Sequence, residues 1–181
     1  MNKHLKLVRE FHQACSYPQA EHGSNQHLSD MAVIVHQSLL MEAGSAVLDA
    51  LKAGEMAEIL AGLVDLAYRA LSAIAERGDD VAERPVAWRH DGFVLSIARL
   101  LSDKINNCTT GDTDHYSELY ALCIQLSRGF LNADFDKAFQ CVHDHNLYKL
   151  HKSGVSIYGE ADKIRREKLL NEPDLTECLF E

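Results

Sequence analysis

Apolar residues recur along this chain three or four positions apart, the spacing of helices rather than of strands. Leu5, Val8, Phe11 and Ala14 form one such stripe and predict a short helix over 3–15. Pro18 to Asn25 reads as a loop, with Ser29 or Asp30 placed to cap the next helix. That helix is expected to be long, from Met31 to about Lys52, then a tight break at Ala53-Gly54-Glu55, then a helix from Met56 to about Arg77. Gly78 supplies the left-handed conformation that closes it. Residues 79–90 form a linker carrying Pro85 and the single tryptophan, Trp88, which reads as an anchor packed on the bundle. Further helices are expected over 92–107, 115–131 and 135–152, with Thr113 or Asp114 capping the 115–131 helix and Asp134 the last. Beyond Ser153, Gly154, Gly159 and Pro173 predict an irregular tail with a turn of helix at 161–170. No Val/Ile/Thr-rich alternating run offers a strand.

The expected fold is therefore all-α. An antiparallel hairpin over 31–77 and a second over 92–131 join an N-terminal helix and a helix over 135–152 in one bundle, residues 1–152. The basic tail, 153–181, is expected to pack on the bundle or close over it. Both hairpin loops contain a Gly-acid pair, Gly54-Glu55 and Gly111-Asp112. Two ordinary helical hairpins account for that more simply than a decayed duplication.

Composition narrows the function classes. Eighteen Lys+Arg against twenty-seven Asp+Glu give a net charge of −9, so neither nucleic acid nor an anionic membrane is an expected partner. The N-terminal segment is punctuated by charge and lacks the apolar core of a signal peptide. Five cysteines (Cys15, Cys108, Cys123, Cys141 and Cys178) with no CxxC pair read as reduced thiols, and a cytoplasmic location is expected.

Candidate chemistry lies on the first hairpin. Facing residues of an antiparallel hairpin have position numbers with a nearly constant sum, here about 107 if the loop centres on 53–54. Glu42 with Asp65, and Asp49 with Glu58, both satisfy it. The two acids of each helix are seven apart, about 10 Å along one face. Facing carboxylates repel unless a cation or a proton separates them, and such oxygen-rich sites suit Mg²⁺. Asp65 stands in an almost wholly apolar run, Ile59 to Tyr68, so it needs a partner. Asp103 and Glu118 face each other across the second hairpin by the same counting.

The run Leu39-Leu40-Met41-Glu42-Ala43-Gly44-Ser45-Ala46-Val47-Leu48-Asp49-Ala50-Leu51, followed by Gly62-Leu63-Val64-Asp65-Leu66-Ala67-Tyr68, resembles the MazG-like nucleoside triphosphate pyrophosphohydrolases. That all-α superfamily includes phosphoribosyl-ATP pyrophosphohydrolase. Val8-Arg9-Glu10-Phe11-His12, Phe135-Asp136-Lys137-Ala138-Phe139, the run Val142 to Leu150, and Pro173-Asp174-Leu175 resemble its other elements in order. Residues 80–132 fit it least. The resemblance implies Mg²⁺, or Mn²⁺, held by acids of an EExxE and an ExxD pattern. Glu42 matches the first Glu and Asp65 the Asp, whereas Ala43, Ala46 and Gly62 stand where the other acids would be. Asp49 and Glu58 are candidate replacement ligands.

The resemblance also implies phosphate contacts from His143, Asn146 and Lys149, with Arg165 and Lys168 of the tail closing over the substrate, and a homodimer. It is compatible with two functions. One is Mg²⁺-dependent hydrolysis of a nucleoside triphosphate to monophosphate and pyrophosphate, with Glu42 and Asp65 catalytic. The other is a nucleotide-binding or scaffold relative that kept the bundle and lost hydrolysis, as Ala43, Ala46 and Gly62 favour.

Overall fold

The computed structural model describes residues 1–83, 88–89, 91, 93–153 and 173–180. They form six α-helices and no strand: α1 (Lys3–Cys15), α2 (Asp30–Ala53), α3 (Met56–Arg77), α4 (Val94–Asn107), α5 (Thr113–Gly129) and α6 (Phe135–Ser153). The all-α expectation holds among the described residues.

Local chemistry sets most boundaries. The Asn2 side chain accepts the backbone N–H groups of His4 and Leu5 and starts α1. Ser29 caps α2 through the Ala32 N–H, and Asp134 caps α6 through Lys137. Each N-cap oxygen satisfies a donor that the first turn leaves unpaired. Gly54 and Gly78 close α2 and α3 at φ of 78° and 75°, a region L side chains avoid.

Two starts differ from expectation. Helix α4 begins at Val94, after the Asp91 carboxylate has taken the Phe93 N–H. Helix α5 begins at Thr113, not at His115, and Asp112 at its cap makes no side-chain capping bond. The Thr113 hydroxyl is instead donated to Asp79, just past the end of α3. A tertiary bond has claimed the residue that would have capped the helix. The Cys108–Thr110 stretch forms one 3₁₀ turn rather than a loop.

Helix α3 is the hub, packing against α1, α2, α5 and α6, while α4 packs against α2 and α5. Its apolar side chains, among them Leu60, Leu63, Leu66, Leu71 and Ile74, are buried almost completely. The α1–α2 connection runs back along its C-terminal end. There Ala20 and Gln26 donate to the Ala75 and Arg77 carbonyls, and Arg9 donates to those of Ala75 and Ala20. Trp88 lies on Gly129 of α5 so closely that an added Cβ there would stand 2.6 Å from its ring. The linker anchor is therefore real.

Of the tail, residues 173–180 return to the bundle. Leu175 and Cys178 are buried, Cys178 accepts from the Asp134 N–H, and Phe180 donates to the Asn132 carbonyl. The turn expected at 161–170 lies outside the described residues.

Candidate functional site: a polar stripe on the central helix

Between Ile59 and Glu76, α3 is apolar but for Asp65, Tyr68, Arg69, Ser72 and Glu76. Steps of three or four residues place them on one face. The elements packed against that face supply partners from α1, α2 and α6.

Arg69 donates from Nε to Asp65 Oδ2 at 3.0 Å, and both side chains are less than one-fifth exposed. Burial alone would lower the guanidinium pKa, but Asp65 and then Glu42 outweigh it and hold the pKa above its ordinary value. Asp65 of α3 therefore pairs directly with a cation whose charge Glu42 of α2 also stabilises electrostatically. The cation is a side chain of this protein.

The register explains why Arg69 can serve both. A Cβ on Gly62 would lie 2.8 Å from Val47 Cγ2 and 3.4 Å from Val47 Cα. Positions 47 and 62 are thus in direct contact, and the facing sum is 109 rather than 107. Glu42 then stands opposite position 67, on the turn of α3 bounded by Asp65 and Arg69. The same contact closes the helices over Gly62, where the family pattern has an acid. Ala43 is buried in the same core.

Asp49 and Glu58 do not join this group. Both are exposed, and Asp49 pairs with Lys52 at 3.0 Å on the outside of α2. On the second hairpin Asp103 is exposed, whereas Glu118 is half-buried and pairs with Lys104 at 2.6 Å.

The α6 residues turn inward. His143 is buried, with Nδ1 3.3 Å from the Tyr68 hydroxyl and Nε2 3.7 Å from Glu10 Oε2. A neutral ring protonated at Nε2 suits both neighbours, because Tyr68 then donates to Nδ1. Burial lowers the His143 pKa against the pull of Glu10 and Asp144. Asn146, also buried, hydrogen-bonds Tyr68. Tyr68 itself stacks on Phe139 at 5.4 Å and meets Phe11 edge-on at 5.9 Å. Burial drives its hydroxyl pKa far up, so it acts as a neutral donor. Lys149 is half-buried further along α6. Arg165 and Lys168 lie outside the described residues.

Further along the stripe, His12 donates from Nδ1 to the Pro18 carbonyl at 3.0 Å, with Nε2 3.1 Å from Ser72 Oγ. The Ser72 hydroxyl also reaches the Tyr68 carbonyl of its own helix at 3.1 Å. Burial pushes the His12 pKa down to about 4. His36 Nε2 sits 2.8 Å from Glu76 Oε2. This half of the stripe ties α1 and α2 to α3.

Tyr68, Arg69, Glu10, Ser72 and Glu76 are not found by counting acids alone, because the cation lies beside them. The signal is nevertheless present in the sequence. Starting at Asp65, polar residues recur at helical spacing through a helix that is otherwise apolar.

As for a metal, Glu42 and Asp65 fit one divalent ion, since Mg²⁺ takes one or two carboxylates and completes its shell with water and substrate phosphates. Among the described residues no three His, Cys, Asp or Glu side chains cluster as a preformed metal cage. An open cavity of about 750 Å³ lies elsewhere, beyond the end of α3, lined by Asn2, Asp80, Glu83 and Tyr120 among others. It shares no residue with the stripe. No family model, curated protein or solved structure matches the chain, so the reading of the site rests on its own residues.

Proposed function

We propose that the protein binds a nucleoside triphosphate together with Mg²⁺ or Mn²⁺ at Glu42, Asp65 and Arg69, and hydrolyses it to monophosphate and pyrophosphate. The observation that carries this reading is one guanidinium paired with Asp65 of α3 and stabilised electrostatically by Glu42 of α2. Formal charge decides between ligands. Glu42, Asp65 and Arg69 together carry −1, which repels a bare phosphate chain. A divalent ion raises the group to +1, and a triphosphate is then attracted.

In this reading Glu42 and Asp65 would hold the metal, which on binding polarises phosphoryl oxygens and lowers the pKa of bound water. Arg69, released from Asp65, turns its planar donors to the phosphates. Tyr68 is held in position by His143 and Asn146. Lys149, Arg165 and Lys168 would add positive charge for the phosphates. Catalysis then rests on positioning and charge neutralisation.

The second reading is a nucleotide binder without turnover. The tight contact of Gly62 on Val47 favours it, because it leaves no space for the further acids that the family pattern brings to the metal.

Pyrophosphate release from a panel of nucleoside triphosphates in Mg²⁺ separates the two. Hydrolysis predicts turnover that falls to background in both Asp65→Asn and Glu42→Gln while helical circular dichroism is kept. Turnover persisting in both variants would remove the assignment. Nucleotide binding with no turnover in the unaltered protein selects the second reading.

A further inference from the structure

Helix α1 is fastened to the bundle through imidazoles. His4 and His12, on its inner face, are 3 and 2% exposed, and His143 of α6, 1% exposed, lies 3.7 Å from Glu10 of α1. The His4 ring stacks on Phe139 of α6 at 4.3 Å, with Nδ1 2.8 Å from the Tyr120 hydroxyl of α5 and Nε2 3.1 Å from Asp136 Oδ1 of α6. His12 reaches Ser72 of α3. Two rings therefore tie α1 to three other helices.

A proton on either ring places a charge where burial opposes it. Beside His4, Asp136 favours that charge, but its carboxylate already pairs with Lys3 at 2.6 Å and Arg128 at 3.6 Å, and both cations oppose it. Tyr120 is a neutral phenol there, pushed up to about 12 by burial. Beside His12, Glu76 favours the charge while pairing with His36 at 2.8 Å, and His36 and Arg9 oppose it. The Pro18 carbonyl accepts from the ring, and Tyr17 packs on it at 4.7 Å. His143 faces Glu10, Asp144 and Tyr68, and burial lowers its pKa as well.

The connection after α1 lets the helix move by itself. Helix α1 ends at Ser16, whose φ of 55° turns the chain away. Beyond it Ala20, Gly23 and Gln26 donate to the Ala75, Gly78 and Arg77 carbonyls, so the connection is anchored on the end of α3 independently of α1. On leaving, α1 gives up the apolar contacts of Leu5, Val8 and Phe11, the Arg9 bonds to the Ala75 and Ala20 carbonyls, and the bond from Asn2 to Asp80.

We propose that α1 is an acid-sensitive element: as pH falls through the histidine range, it opens as one unit about Ser16, ahead of the other helices, and uncovers Tyr68 and Phe139. His4 and His12 titrate at about 4 in place and about 6.5 when released, so between those values the released helix binds more protons than the docked one. Docking is therefore complete above pH 6.5 and weakens as pH falls towards 4. From pH 7.5 to 5.0, linkage raises the opening constant about 27-fold for each ring, and so about 700-fold for the two. This opening does not depend on nucleotide binding at the stripe.

Hydrogen exchange of the full chain at pH 7.5 and 5.0, each corrected for the intrinsic rate, tests the proposal. Protection of the α1 amides should fall at least about 700-fold, and at pH 5.0 it should lie at least about tenfold below that of α3 and α5. His4→Gln and His12→Gln should each remove about 27-fold of the fall, and the double variant should keep only the share of His143. Each variant is compared with itself at the two pH values, so a loss of stability common to both cancels. An α1 as protected as α3 and α5 at pH 5.0, or a fall of less than about tenfold, would overturn the proposal. Both are read on the unaltered protein alone. A full fall in the double variant would overturn it equally.

Discussion

Two neighbouring levels of the α2–α3 hairpin answer the same problem differently. At Gly62 the helices touch backbone to side chain, and the contact with Val47 is closed and apolar. One turn further along α3, Asp65 and Arg69 form a half-buried pair, and beside it Tyr68 of α3 meets His143 of α6, which in turn faces Glu10 of α1. The closed level fixes the spacing of the helices. The open level holds Asp65 on Arg69, within electrostatic reach of Glu42. Small residues where ligands are expected thus serve the site by setting its register, and Arg69 supplies the charge that a buried pair of acids demands.

The sharpest way to break this comparison is to place an acid at the closed level. Gly62→Glu places a carboxylate against Val47 with neither space nor partner, and stability should fall by about 4 kcal/mol or more in urea denaturation. Gly62→Ala isolates the steric part and should cost about 1–3 kcal/mol. If both variants were as stable as the original, the closed contact would not be the feature that sets the register.

At the open level, Arg69→Met strips the cation from two half-buried carboxylates and should cost about 2–3 kcal/mol. Adding Asp65→Asn should recover part of that loss, so a double-mutant cycle reads the coupling directly. Additive effects would mean that Arg69 and Asp65 do not act as a unit.

Lowering pH tests two buried histidines of α1, His12 beside Ser72 of the stripe and His4 away from it against Tyr120 and Asp136. His12 and His4 titrate at about 4 because burial disfavours their charged forms, against about 6.5 when unfolded. The unfolded chain therefore binds more protons between those values. Their contribution is complete above pH 6.5 and is lost as pH falls towards 4, on the order of 3 kcal/mol for each. Asp136, which the neighbouring Lys3 holds low against the opposing effect of burial, acts in the same direction at still lower pH. Denaturation midpoints at pH 7.5, 5.5 and 4.5 should fall monotonically; a flat profile would contradict the buried, neutral histidines.

The smallest effect belongs to the outer acids. Asp49→Ala and Glu58→Ala should change stability by no more than about 0.5 kcal/mol and leave nucleotide binding unaltered. A clear loss of metal-dependent binding in either would return them to the site.

Much of the fold was legible because caps and closing glycines act locally. Asn2, Ser29, Gly54, Gly78 and Asp134 each mark a boundary with a bond or a backbone angle that the residue itself provides. Thr113 misled because a distant carboxylate, Asp79, outcompeted its own helix for the hydroxyl. At the site, the expectation that Glu42 and Asp65 lie on facing turns came from helix geometry. The two-residue shift in register did not, since it depends on Gly62 letting Val47 approach. Arg69 escaped for a related reason: a search for acids that need a cation stops at the acids. The placement of His143 and Asn146 on Tyr68 depends on how α6 crosses α3, which no local pattern encodes.

In the proposed function, metal and nucleotide together complete the site formed by Glu42, Asp65 and Arg69. Isothermal titration of Mg²⁺ or Mn²⁺ into chelator-treated protein, with and without a non-hydrolysable nucleoside triphosphate analogue, tests this most directly. Each ligand should strengthen the other's binding by the same factor, as linkage requires, and Asp65→Asn should abolish the coupling. Nucleotide affinity unchanged by metal, or no binding of either ligand, would contradict it.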